Sequence, residues 1–152
     1  MCEGVPGTVS LPGLDALRAL PRRLVLTLPA AGSSVRVARE NAEQALAEWG
    51  IGPRHPVADP ALLILTELVA NSVRHAAALS PTVTVVLGAG PETLAVGVHD
   101  RHPERPVLSA RRTGPGGGLA TVLELTLELG GTASVLADPE DSGKTVWISL
   151  PL

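Results

Sequence analysis

Phenylalanine and tyrosine are absent from this chain, lysine occurs once, at Lys144, and cysteine once, at Cys2. A single cysteine cannot close an intrachain disulfide or build a cysteine-based zinc site, and it fits a reducing, cytoplasmic setting. The longest apolar run, Ala61 to Leu65, falls far short of the roughly 20 residues that a helical bilayer span requires, so no membrane segment is expected. Nor does the amino-terminal stretch read as a signal peptide. Glu3, Gly4, Pro6, Gly7 and Pro12 stand where a basic start and a continuous apolar core would be needed. Positive charge is scarce as well: 12 Lys+Arg against 15 Asp+Glu leave a formal net charge of -3. That balance offers no field to hold a nucleic-acid backbone, and direct nucleic-acid binding is not expected.

What remains is 152 residues, 45% of them hydrophobic, enough for one aliphatic core in one domain. Residues 1–22 are broken by glycine and proline and read as a flexible amino-terminal arm, with at most a helical turn over Leu14 to Leu20. The domain is expected over 23–152. Arg23 to Leu28 alternates as a strand, Pro29 and Gly32 break it, and Ser33 or Ser34 offers a helix cap. Val35 to Trp49 has helical spacing and stops at Gly50. Asp59-Pro60 starts a second helix that runs to about Ala77 and is apolar except for a stripe of Thr66, Glu67, Asn71 and Arg74. Pro81 to Leu87 and Thr93 to His99 form a hairpin across Gly88 to Pro91. Asp100 to Gly118 has no periodicity and reads as a lid. A helix over Leu119 to Leu129 and strands over Thr132 to Ala137 and Thr145 to Leu150 complete the order. Strand, two helices, two strands, lid, helix and two strands specify an α+β fold: a two-layer sandwich with a mixed, mostly antiparallel sheet and helices on one face.

Glu67 and Asn71 are four residues apart on a mostly apolar helix, so their side chains project from adjacent turns of one face and are able to share one ligand. A carboxylate can accept the proton of an attacking hydroxyl, and an amide oxygen is a hard ligand for Mg²⁺. A polar pair at this spacing is also common as a solvent-facing stripe, so the pair alone does not decide. Gly116-Gly117-Gly118-Leu119 opens a helix, where free N–H groups and the positive end of the dipole suit phosphate; a plain flexible connector has the same composition. Asp100, ending a strand, is placed to accept from an exocyclic amine such as adenine's, or simply to start a turn. Gly143-Lys144-Thr145 lacks the upstream glycine of a P-loop and enters a strand. His75, His99 and His102 lack metal-site spacing and read as structural or surface groups.

Taken in order, ELVANSVRHA at Glu67 to Ala76, VHD at Val98 to Asp100, GGGL at Gly116 to Leu119 and the closing GKTVWISLPL resemble the GHKL ATPase family, which includes histidine-kinase catalytic domains, gyrase B and MutL. The likeness is greatest to its stand-alone branch of anti-sigma-factor serine kinases, and it spans roughly Leu24 to Leu150. It implies the Bergerat ATP-binding fold with ATP and Mg²⁺ as cofactors. Asn71 then matches the Mg²⁺ ligand, Glu67 the general base and Asp100 the adenine-reading aspartate. Gly116 and Gly118 match lid-hinge glycines near the phosphates, with Leu119 following them, and Thr145 matches a hydroxyl that approaches the adenine. A sigma factor or an anti-sigma-factor antagonist is the implied partner, and a homodimer the implied assembly.

Two departures from the family pattern stand out. Arg101-His102-Pro103 follows Asp100 where many members carry a glycine at the second position, and Gly117 stands where relatives often have an arginine able to touch the terminal phosphate. Phosphoryl transfer depends on such charge neutralisation, with Arg111 or Arg112 the nearest substitutes in sequence. Two functions therefore follow: an ATP-dependent serine kinase, or a regulatory module of the same fold with weak or lost phosphotransfer. A histidine-kinase fragment would need a dimerisation helix with a phosphorylatable histidine, for which the chain has no room.

Overall fold

Alternation alone builds the first strand, β1 (Arg22–Pro29), in which Leu24, Leu26 and Leu28 turn inward while Val25 and Thr27 stay in solvent. The computed structural model describes residues 20–76, 80–102, 118–138 and 143–152. After β1 come α1 (Ser33–Glu48), α2 (Ala58–Ala76), β2 (Thr82–Ala89), β3 (Thr93–Asp100), α3 (Gly118–Glu128), β4 (Thr132–Ala137) and β5 (Lys144–Pro151). Cys2 and the rest of the arm before residue 20, the segment 103–117 of the expected lid with Gly116 and Gly117, and residues 139–142 lie outside the described residues.

The sheet runs β1-β2-β3-β5-β4, and all four pairings are antiparallel. β5 inserts between β3 and β4, so those two strands share a direction without touching, and α3 makes the connection between them. Within the described residues the sheet is thus antiparallel in every pairing rather than mixed. All three helices pack on one face. Ala38, Ala42, Ala45 and Leu46 of α1, Leu62, Leu65, Leu68 and Val69 of α2, and Val122 of α3 meet Val83, Val85, Leu87, Leu94, Val96, Val98, Val146, Ile148 and Leu150 of the sheet in one aliphatic core. Each fully buried Leu, Ile or Val contributes about 1.5–3 kcal/mol, which is why a core without phenylalanine or tyrosine suffices. The surface pairs Arg36–Glu40 and Arg39–Glu43 on α1 are exposed i, i+4 contacts, worth about 0.3–0.5 kcal/mol each, so burial and not surface charge holds that helix.

Helix ends depart from the sequence reading in detail. α1 is capped by the backbone of Gly32 with no side-chain cap bond, so Ser33 and Ser34 lie within its first turn rather than at its cap. α2 begins at Ala58, which draws Asp59 inside the first turn, where a carboxylate still meets the positive end of the dipole. At its entry the His55 ring accepts from the Val57 N–H at Nδ1.

The opposite sheet face carries a small second cluster in which Leu20 and Trp147 pack on Val86. Gly97 is the direct cross-strand partner of Trp147 and Val86. A Cβ placed there would lie 2.7 Å from both the indole ring and Val86 Cγ2. Gly97→Ala should therefore lower stability by about 1–3 kcal/mol, the usual cost of overpacking. A urea midpoint unchanged from the parent would contradict that expectation.

Candidate functional site

The antiparallel register of β3 and β5 sets Asp100 directly opposite Lys144 at one end of the sheet, both on the face covered by helices. Their side chains are 1% and 8% exposed, and Lys144 Nζ donates to Asp100 Oδ1 over 2.6 Å. Helix α2 closes the other side, where Ser72 Oγ donates to Asp100 Oδ2 over 2.7 Å. The backbone N–H of His102 donates to Oδ1 over 2.9 Å, and that of Arg101 donates to the buried Ser80 Oγ, also over 2.9 Å. Both peptide units that follow Asp100 are thereby anchored. His102, standing where many family members have glycine, serves Asp100 through its main chain.

Ser72 adjoins Asn71, so the helix that meets Asp100 also carries Asn71 and Glu67. Asn71 and Glu67 are half-buried, and neither side chain has a hydrogen bond or ion pair among the described residues. Thr66, their neighbour on the stripe, is spent on the Leu62 and Leu63 carbonyls of its own helix. A half-buried amide and carboxylate one turn apart with open valence suit a hydrated Mg²⁺ and a protonated acceptor, both oxygen-seeking.

The remaining candidates divide. Gly118 is the first residue of α3, which packs against α2, and the half-buried side chain of Leu119 packs against the core. Thr145 lies on β5 next to Lys144. It pairs with His99, one residue out of phase with Asp100, and strand alternation sends its side chain to the far face with Trp147. There its hydroxyl is fully buried without a hydrogen-bond partner among the described residues. On that same face His99 Nε2 pairs with Asp138 at 3.0 Å. Asp138 comes close to that strand end over Gly143, where a Cβ would lie 2.8 Å from Asp138 Oδ2 and 2.5 Å from the Asp100 carbonyl oxygen.

Two members of the Asp100 network escaped the sequence reading although signals for them existed. Ser72 continues the buried stripe of Leu65, Leu68 and Val69, and a hydroxyl on such a stripe needs a partner. Lys144 is in phase with Val146, Ile148 and Leu150, which placed the chain's one lysine on the core face.

A helix carrying an amide and a carboxylate thus abuts a strand-end aspartate buried behind it. The model of the histidine kinase-, DNA gyrase B-, and HSP90-like ATPase family matches residues 57–152, from the start of α2 to the last residue. The chain belongs to that GHKL family. A search of curated proteins finds no match. Among solved structures, the RsbU and RsbW domains of Rv1364c from Mycobacterium tuberculosis are similar at TM-score 0.62 and 24% identity, over 86% of this chain and 33% of that one. This chain thus spans about a third of the mycobacterial one. The SiaB-SiaC complex from Pseudomonas aeruginosa gives TM-score 0.58 at 15% identity, covering 95% and 99% of the two chains. The histidine kinase AdeS of Acinetobacter baumannii gives 0.50 at 14%, covering 84% and 67%. These likenesses are of fold. No described helix is long and apolar enough to cross a membrane.

Proposed function

We propose that this GHKL protein binds ATP with Mg²⁺ between α2 and the Asp100 end of the sheet, and acts on a protein partner in transcription control: a sigma factor, an anti-sigma-factor antagonist, or both. The observation that carries the reading is the Ser72–Asp100 hydrogen bond, because it joins the helix bearing Asn71 and Glu67 to the carboxylate suited to an adenine amine. Asn71 would hold Mg²⁺ through its amide oxygen, Asp100 would accept from the base, and Gly116 and Gly118 would serve the phosphates, as the family resemblance implies. When bound, Mg-ATP supplies a transferable phosphoryl group. Glu67 orients the acceptor serine hydroxyl of the antagonist and takes its proton. That the SiaB structure is a complex with SiaC supports a protein as the partner.

A second reading, a module that binds a partner with weak or lost phosphotransfer, is favoured by Gly117, which supplies no cation where charge builds on the terminal phosphate. Both readings share the first test. With Mg-ATP at 100 times its dissociation constant, the parent chain should gain about 2.7 kcal/mol, or roughly 5–10 °C in Tm. Asn71→Ala should lose most of that gain. An unchanged parent Tm would sink nucleotide binding. Where binding holds, phosphoserine on an antagonist domain, read by mass spectrometry, separates kinase from module.

A further inference from the structure

Lys144 has no role in the reading above, yet it is the chain's one lysine and is buried against the carboxylate that reading assigns to the base. An ammonium carries three donors. Among the described residues Lys144 Nζ spends one of them, on Asp100 Oδ1. Unspent donors on a buried cation are costly, and a ligand acceptor at that place would satisfy one. Asp100 has matching capacity: a carboxylate offers about four lone-pair sites, and Ser72, His102 and Lys144 occupy three. Side by side and 2.6 Å apart, the two groups form a donor next to an acceptor. A purine edge with an exocyclic amine beside an unprotonated ring nitrogen is the complement of that pair.

We infer that Lys144 is a second base-reading residue, its ammonium donating to ring N1 of adenine while Asp100 accepts from the 6-amino group. The inference rests on the nucleotide reading of this site. It assigns to Lys144 discrimination against bases that lack an acceptor beside the amine, since such a base would leave the buried donor unmet. The ion pair then has two duties, neutralising Asp100 and selecting the ligand.

The test compares ATP with 1-deaza-ATP, in which ring N1 is replaced by C–H, each with Mg²⁺, by calorimetric titration of the full chain. The parent should bind the analogue roughly 10- to 100-fold more weakly, as expected for one hydrogen bond from a charged donor. In Lys144→Met the two nucleotides should bind with a ratio of about one, because the coupled group is gone. Should that variant fail to fold, the parent comparison still tests whether ring N1 is read. Equal affinity of the parent for both nucleotides would overturn the assignment while leaving nucleotide binding intact. Failure of the parent to bind either would overturn the nucleotide reading itself and this inference with it.

Discussion

Asp100→Ala should lower the unfolding free energy by about 3–5 kcal/mol, the cost of leaving one member of a buried ion pair without its partner. The carboxylate is 1% exposed and satisfies Lys144 Nζ, Ser72 Oγ and the His102 N–H together. Its removal strands a buried ammonium and a hydroxyl. Against a total stability of about 5–15 kcal/mol, that loss is enough to unfold a marginal domain at moderate temperature. The decisive comparison is with the double variant Asp100→Leu, Lys144→Met. Burying two charges is costly before their attraction is counted, so replacing both by apolar groups of similar volume should recover most of the loss. Urea unfolding measures both. If the single variant lost less than about 1 kcal/mol, as solvent-exposed pairs do, the pair would be more hydrated than its burial states. The double variant separates stability from binding, because it should fold and still fail to raise its Tm with Mg-ATP.

Glu67→Gln should have a large effect of a different kind. Glutamine keeps the size and polarity of the side chain but cannot take a proton. Under the kinase reading, transfer to the antagonist serine should fall about 100- to 10,000-fold, the usual contribution of a general base. Stability should hardly move, since Glu67 makes no hydrogen bond or ion pair among the described residues. The Tm gain with Mg-ATP should persist, which distinguishes Glu67 from Asn71. Loss of nucleotide binding in Glu67→Gln would reassign the carboxylate to the metal. Unchanged transfer would remove it from the chemistry altogether.

What could be read in advance followed the reach of each signal. Spacing of three and four residues disclosed α1 and the shared face of Glu67 and Asn71, while the Asp59-Pro60 start and the apolar run behind it disclosed α2. Alternation disclosed β1, and β-rich runs between turn residues the other four strands, all to within about two residues at each end. Strand ends and caps were less legible: Gly32 rather than a serine caps α1, because a cap depends on the incoming backbone path as much as on the residue available. Thr145 shows what register adds to a pattern: the phase of β5 turns its hydroxyl to the face opposite Asp100.

By itself, the order of residues determined an α+β sandwich with an aliphatic core, an amide and a carboxylate paired on a greasy helix, and an aspartate closing a strand. Tertiary structure alone decided who meets that aspartate. Ser72 and Lys144 lie 28 and 44 residues from Asp100 along the chain, and no local periodicity encodes contacts across such distances. They arise because β5 inserts beside β3 in one register and α2 packs over that end of the sheet, each driven by burial of aliphatic surface that carries no label for the polar groups it brings together.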